Sequence, residues 1–213
     1  MNQDFFNGLT GEIITPQDPR YNKDRQIFNR RFQKFPLAIV YCENDRDVVN
    51  AVLWCRKNCV RLRIRNGGHN YEGYCIGNEL LVIDISRRNY MEIDEENGLL
   101  FLESGVDVRE FYDFVSSRGY PFPGGSCPTV GIAAYAMGGG WGYSARYLGL
   151  GCDSLKSITM VNDRGKIITA DRKQNADLFW ACKGGGSGNF GVILSMVFEL
   201  PPKVDRVTYI EIR

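Results

Sequence analysis

Glycine is gathered in this sequence, and the places where it gathers constrain the fold more than any other feature. Of the 24 glycines among 213 residues, one pair, Gly67 and Gly68, stands before His69, the single histidine. Another pair, Gly124 and Gly125, precedes Ser126 and Cys127. A third cluster holds Gly138, Gly139, Gly140 and Gly142, and a fourth runs Gly184, Gly185, Gly186, Gly188 and Gly191. Glycine loses more conformational freedom on ordering than any other residue, so such runs do not sit inside helices or strands. They read as loops, turns or places where the backbone must approach something closely.

The segments between the clusters alternate between strand and helix patterns. Leu37 to Cys42 is an apolar run with strand character. Asn44 or Asp45 can then cap a helix with Val48, Val49, Val52 and Leu53 on one face. Residues 60–65, VRLRIR, alternate apolar and basic residues, which predicts a strand whose three arginines share a wet face. Leu80 to Ile85 and Leu99 to Glu103 read as further strands. Asp107, with Glu110 three residues on, has capping-box spacing, Val108, Phe111, Tyr112 and Val115 supply the apolar face, and Gly119 can end the helix. Leu155 to Val161, the turn at 162–165 and Lys166 to Ala170 predict a hairpin. A short helix over Ala176 to Cys182 and a strand over Val192 to Leu200, stopped by Pro201 and Pro202, complete the pattern. There is no internal repeat. These elements predict an α/β (α+β) chain in two lobes, with the Pro- and Gly-rich stretch at 119–127 as the seam.

Two nucleotide-binding motifs do not account for the glycines. Residues 186–191, GSGNFG, match Gly-x-Gly-x-x-Gly formally, but a helix precedes them and a strand follows. The dinucleotide fingerprint needs the reverse order, so that a helix N-terminus meets the pyrophosphate. No phosphate-binding P-loop is present. The run Arg65-Asn66-Gly67-Gly68-His69-Asn70-Tyr71 is more informative, because it leaves a strand through small residues whose backbone N–H groups can converge on an anion. The plainer alternative is a tight turn with an incidental histidine. The run from Gly125 to Gly131, GSCPTVG, is the second clue, for which the plainer alternative is a buried, inert cysteine.

Composition narrows the function. Twenty-six Lys and Arg against 25 Asp and Glu give a net charge of +1, which argues against a nucleic-acid surface. No apolar stretch is long enough for a membrane span, and the N-terminus lacks the features of a signal peptide, so a cytoplasmic location is expected. Seven cysteines without zinc-site spacing, and no glycosylation sequon, read as free thiols in a reducing compartment, with no metal site. A Ser/His/Asp hydrolase has its one histidine but lacks the Gly-x-Ser-x-Gly elbow.

Taken in order, Gly-Gly-His-x-Tyr, Val-Ile-Asp-Ile-Ser, Gly-x-Cys-Pro-Thr-Val-Gly, Gly-Gly-Gly-x-Gly, Asp-Leu-Phe-Trp-Ala and Gly-Asn-Phe-Gly-Val resemble the berberine bridge enzyme-like flavoproteins. These belong to the FAD-binding superfamily of vanillyl-alcohol oxidase and p-cresol methylhydroxylase. The resemblance covers roughly residues 30–203. It implies an N-terminal segment over 1–34, a two-lobe FAD-binding domain of the p-cresol methylhydroxylase type over 35–203, and the start of a substrate domain, otherwise missing from this chain, at 204–213.

The resemblance also implies a bicovalent FAD, with His69 bonded to the flavin 8α carbon and Cys127 to C6. Arg65, Asn66, Gly67, Gly68, His69, Asn70 and Tyr71 would cradle the pyrophosphate. Ser126, Cys127, Thr129, Val130, Gly131 and Ala133, with Gly138, Gly139, Gly140, Gly142 and Tyr143, would run along the flavin. Gly188, Gly191 and Val192 would form a further wall. The implied reaction is hydride transfer to flavin N5 from a CH–OH carbon of a sugar or related small alcohol, with a catalytic base in the missing domain. Dioxygen would reoxidise the cofactor to give hydrogen peroxide. Val130 would border the oxygen-reactive edge, where a longer side chain would fill the space O₂ needs; alternatively it is an ordinary core residue. Two rival readings remain: a dehydrogenase of the same superfamily holding FAD without covalent bonds, and an FAD-binding fragment with no activity of its own.

Overall fold

The computed structural model describes residues 3–208, 210 and 211. The first lobe is built from β1 (Glu12–Ile14), α1 (Tyr21–Asp24), β2 (Ala38–Tyr41), α2 (Asp45–Lys57), β3 (Leu62–Arg65) and β4 (Leu81–Asp84). Its sheet has the order β1-β2-β4-β3, with β1 antiparallel to β2 and the other three strands parallel. Central β4 is buried at every residue, as expected for a parallel strand covered on both faces. Ala38, Val40, Leu81 and Ile83 face α2, while Ile39 and Val82 pack with Ile14, Tyr21 and Ile27 of the N-terminal segment. Asn44 caps α2, its side chain accepting from the Asp47 N–H.

The second lobe comprises β5 (Met91–Asp94), β6 (Leu99–Glu103), α3 (Val108–Ser116), α4 (Ile132–Met137), α5 (Ala145–Leu148), β7 (Leu155–Val161), β8 (Ile167–Asp171), α6 (Ala176–Cys182) and β9 (Val192–Glu199). The five strands form an antiparallel sheet ordered β5-β6-β9-β7-β8. The predicted capping box opens α3: Asp107 accepts from the Glu110 N–H, and Glu110 accepts from the Asp107 N–H. Phe111, Val115, Ile132, Met137, Leu155, Ile158 and Phe198 fill this lobe's core. Val161, Val192 and Leu194 instead join the cluster around α2, so that helix packs between the lobes. Among the described residues no helix is long and apolar enough to cross a membrane.

Three expectations need correction. The chain leaves the first sheet after Asp84 and enters the second at Met91, so the seam is not at 119–127. That stretch looks like a linker, but its aromatic residues hold it within the second lobe: Tyr120 and Phe122 are buried, and Phe122 meets Phe111 and Phe198 edge-on. At the actual crossing, buried Arg88 reaches Asp45 of α2 at 2.7 Å and Glu103 of β6 at 3.2 Å. Residues 1–34 are not a separate segment either, since β1 belongs to the first sheet and Ile27 to its core. Finally, Arg65 does not share the wet face with Arg61 and Arg63 but is buried. For the further domain expected at 204–213, Tyr209, Ile212 and Arg213 lie outside the described residues.

Candidate cofactor site

The two loops singled out in the sequence meet between the lobes. The first leaves the end of β3 and the second leads into α4. A Cβ on Gly67 would lie 2.0 Å from the Thr129 carbonyl oxygen, and one on Gly131 would lie 2.3 Å from the Asn66 amide nitrogen. Only glycine permits that approach. The Asn66 amide donates to the Ser104 carbonyl at 2.9 Å, and His69 Nε2 lies 2.7 Å from Thr129 Oγ1. Gly68 adopts φ +70°, with Ile27 of the N-terminal segment packed against it. Phe28 stacks on the His69 ring at 4.1 Å between centroids, and its N–H donates to the Gly68 carbonyl.

This junction borders two cavities. The larger, about 470 Å³, is a cleft lined on one side by the 66–70 loop and the edge strand β3. Val130, Gly131, Ala133, Tyr135 and Met137 line the opposite side, and Gly188, Asn189, Gly191 and Ile193 close one end. The smaller, about 340 Å³, opens at the ends of the parallel strands, where Tyr41, Arg65 and Asp84 meet Phe28, Arg30, His69 and Thr129. The ends of parallel strands are the usual place for ligands in α/β sheets.

Behind this smaller cavity, Arg65 Nε bonds Asp84 Oδ2 at 2.6 Å, and the guanidinium also donates to the Asp24 carbonyl at 2.6 Å. Arg65 is therefore committed to protein partners. Burial lowers the His69 pKa below the ordinary histidine value, which favours a neutral ring at neutral pH. Burial drives the Tyr135 hydroxyl strongly upward, so it remains a protonated donor, bonded to the Pro123 carbonyl. Five of the seven cysteines are buried, and Cys42 and Cys55 are pushed up to about 12 by desolvation, which makes them inert. Cys59 is exposed and Cys127 is half-buried.

Among the residues proposed from sequence, Asn66, Gly67, Gly68, His69, Asn70, Val130, Gly131, Ala133, Gly188 and Gly191 line the cleft. Arg65 and Thr129 line the smaller cavity. The others line neither. Tyr71 and Tyr143 point outward, at 89% and 80% exposure. Val192 is core. Gly138 caps the end of α4, and Gly139 follows it with φ +104°. Gly140 and Gly142 serve close packing, against Gly151 and against the Gly124 carbonyl. Ser126 and Cys127 stand on the loop before Thr129, outside both linings. Sequence reasoning missed Phe28, Arg63, Cys75, Ser104 and Tyr135. Phe28 carried no usable signal, because its role depends on a chain segment far from the motif.

The cleft lies within the roughly 300–1,000 Å³ of small-molecule sites, and its glycine-built mouth can admit a flat, bulky group. The FAD binding domain family matches residues 36–171. The chain belongs to that family. This FAD-binding domain is 38% identical over 198 residues to the FAD-linked oxidoreductase YgaK of Bacillus subtilis, covering 91% of this chain and 44% of that one. It superposes on Physcomitrella patens BBE-like 1 with a TM-score of 0.88 at 30% identity, covering 93% of this chain and 44% of that one. Glucooligosaccharide oxidase from Acremonium strictum, described with a 6-S-cysteinyl, 8α-N1-histidyl FAD, gives a TM-score of 0.83 at 26% identity, over 89% and 40% of the two chains. The berberine bridge enzyme-like resemblance and the expected cofactor, FAD, are thus both upheld. The chain spans less than half the length of these relatives.

Proposed function

We propose that this chain forms the cofactor-binding part of a flavin-dependent oxidase acting on the CH–OH group of a sugar or a similar small alcohol. The observation that carries the reading is the convergence of the His69 and Thr129 loops, made possible by Gly67 and Gly131, at the mouth of the interlobe cleft. The sugar-oxidase relative supports the substrate class. FAD, when bound, supplies a hydride acceptor at N5. The protein's part is to hold it. Asn66 to Asn70 offer backbone N–H groups to the pyrophosphate, Val130 to Ala133 form the facing wall, and Gly188 and Gly191 close the end. His69 and Cys127 are the attachment points, reached from different lobes.

The intact mass of the denatured, FAD-loaded protein tests this reading. Wild type is expected to carry one FAD increment, and His69→Ala and Cys127→Ala each to keep it through the remaining link. The double variant is expected to release all its flavin on denaturation. Flavin retained by the denatured double variant would remove both residues as attachment points.

Val130 supports the choice of dioxygen as electron acceptor. It is half-buried, packs on the second-lobe core and also lines the cleft, so an added methylene must occupy cleft space. In the whole enzyme Val130→Leu is expected to slow reoxidation by O₂ while leaving anaerobic reduction by substrate nearly unchanged. Stopped-flow absorbance follows both half-reactions, and equal slowing of the two would make Val130 a packing residue only.

A further inference from the structure

We propose that Thr129 and Phe28 are positioning residues that hold the His69 ring as its Nε2–H tautomer and leave the Nδ1 lone pair free as the nucleophile. The inference rests on the reading that His69 carries the cofactor. It concerns how an ordinary imidazole is made ready for that bond.

His69 makes one side-chain hydrogen bond, from Nε2 to Thr129 Oγ1 at 2.7 Å. Among the described residues Nδ1 has no protein partner. A hydroxyl can accept from Nε2–H or donate to a bare Nε2. In the proposed arrangement Nε2–H donates to Thr129 and Nδ1 keeps its lone pair; in the other, Nδ1 would carry an N–H facing solvent. The hydrogen bond made by one ring nitrogen therefore fixes the state of the other. The low basicity that burial gives the ring keeps this lone pair unprotonated at neutral pH.

Phe28 sets the ring plane. It stacks on the imidazole with an angle of 27° between planes, and its N–H anchors it to the Gly68 carbonyl, one residue from His69. Arg65 holds the same N-terminal segment through the Asp24 carbonyl. Two contacts from different parts of the chain thus fix the tilt and the tautomer of one ring.

In the attachment, a bond forms between Nδ1 and the 8α carbon. One hydrogen leaves the 8α-methyl group and the Nε2 proton leaves His69. The two electrons and two protons pass to dioxygen, giving hydrogen peroxide. Thr129 is placed where that Nε2 proton departs.

Because the chain has a single histidine, ¹⁵N-histidine labelling reads His69 without assignment and without FAD. Wild type is expected to show a protonated Nε2 and an unprotonated Nδ1 above the ring's pKa. Thr129→Val is expected to convert this to a tautomer mixture, and Thr129→Ser to restore it. A wild-type spectrum dominated by Nδ1–H, or a Thr129→Val spectrum identical to wild type, would overturn the proposal.

A second measurement uses Cys127→Ala as background, so that only the histidyl link remains, and follows flavin fluorescence in the denatured band over time. Thr129→Val and Phe28→Ala are expected to slow attachment roughly tenfold to a hundredfold, by analogy with the loss of the partner that orients a metal-binding histidine. Thr129→Ser and Phe28→Tyr should stay near the background rate. Unchanged rates in the first two overturn the positioning role. Absence of any link in the Cys127→Ala background itself, with the tautomer as expected, removes His69 as an attachment point and leaves the tautomer assignment standing.

Discussion

Asp84→Ala is expected to lose about 3–5 kcal/mol of folding stability, the cost of stranding one member of a buried ion pair. Asp84 and Arg65 are 2% and 5% exposed, and the Arg65 guanidinium would be left with the Asp24 carbonyl as its remaining close partner. Asp84 also accepts from the Ser86 backbone and hydroxyl, so its loss loosens the turn after β4 as well. Against a total stability of about 5–15 kcal/mol for an ordinary domain, this threatens folding at ambient temperature. The double change Arg65→Met/Asp84→Leu separates the pair's own contribution from the penalty of a stranded charge, and is expected to recover most of the loss because no charge remains buried. Urea denaturation followed by tryptophan fluorescence measures both. A loss for Asp84→Ala below about 1 kcal/mol would put the site in the range of exposed pairs and contradict the burial argument.

Gly67→Ala carries the second large effect, and here cofactor affinity falls further than stability. The new methyl would lie 2.0 Å from a backbone oxygen of the facing loop, so relief requires the loops to part rather than a side chain to turn. Overpacking of this kind costs about 1–3 kcal/mol in stability. Parting the loops also widens the mouth of the cleft and breaks the His69–Thr129 contact, so FAD affinity should fall by at least about tenfold, or 1.4 kcal/mol. Gly98→Ala is the control: its Cβ would meet nothing within 4 Å, and only its φ of +64° is at stake. That change should cost about 1–2 kcal/mol in stability and nothing in affinity. Thermal melts and fluorescence titration with FAD distinguish the two. Equal affinity in Gly67→Ala and wild type would mean that the loops are not held together for the cofactor.

Local patterns predicted most elements of the fold. The continuous apolar run of β4, the capping box before α3, the 155–170 hairpin and the strand ended by two prolines each follow from residues close together in sequence. β1 and β5 carry no local signal, being three and four residues long and lacking a strong apolar run. The seam lies away from the expected stretch for a related reason. Proline and glycine mark irregular backbone, and at 119–127 they do so, but whether irregular backbone links two lobes or lies folded within one depends on Tyr120 and Phe122 finding a core. That is a long-range contact.

The candidate site divides in the same way. Sequence alone determined which segments are loops, which residues in them carry reactive groups, and the family whose motif order they follow, because these depend on residue type and spacing. Tertiary structure decided which of those residues share a cavity. It turned Val192 into the core, left Tyr71 and Tyr143 facing outward, and used Gly140 and Gly142 for packing. It also buried Arg65 on Asp84, 19 residues away, and brought Phe28 and Thr129 to His69 from 41 and 60 residues away. The physical reason is that glycine specifies where the backbone can turn or approach closely, a local property. What it approaches is fixed only when the two sheets close on α2 and bring distant loops face to face.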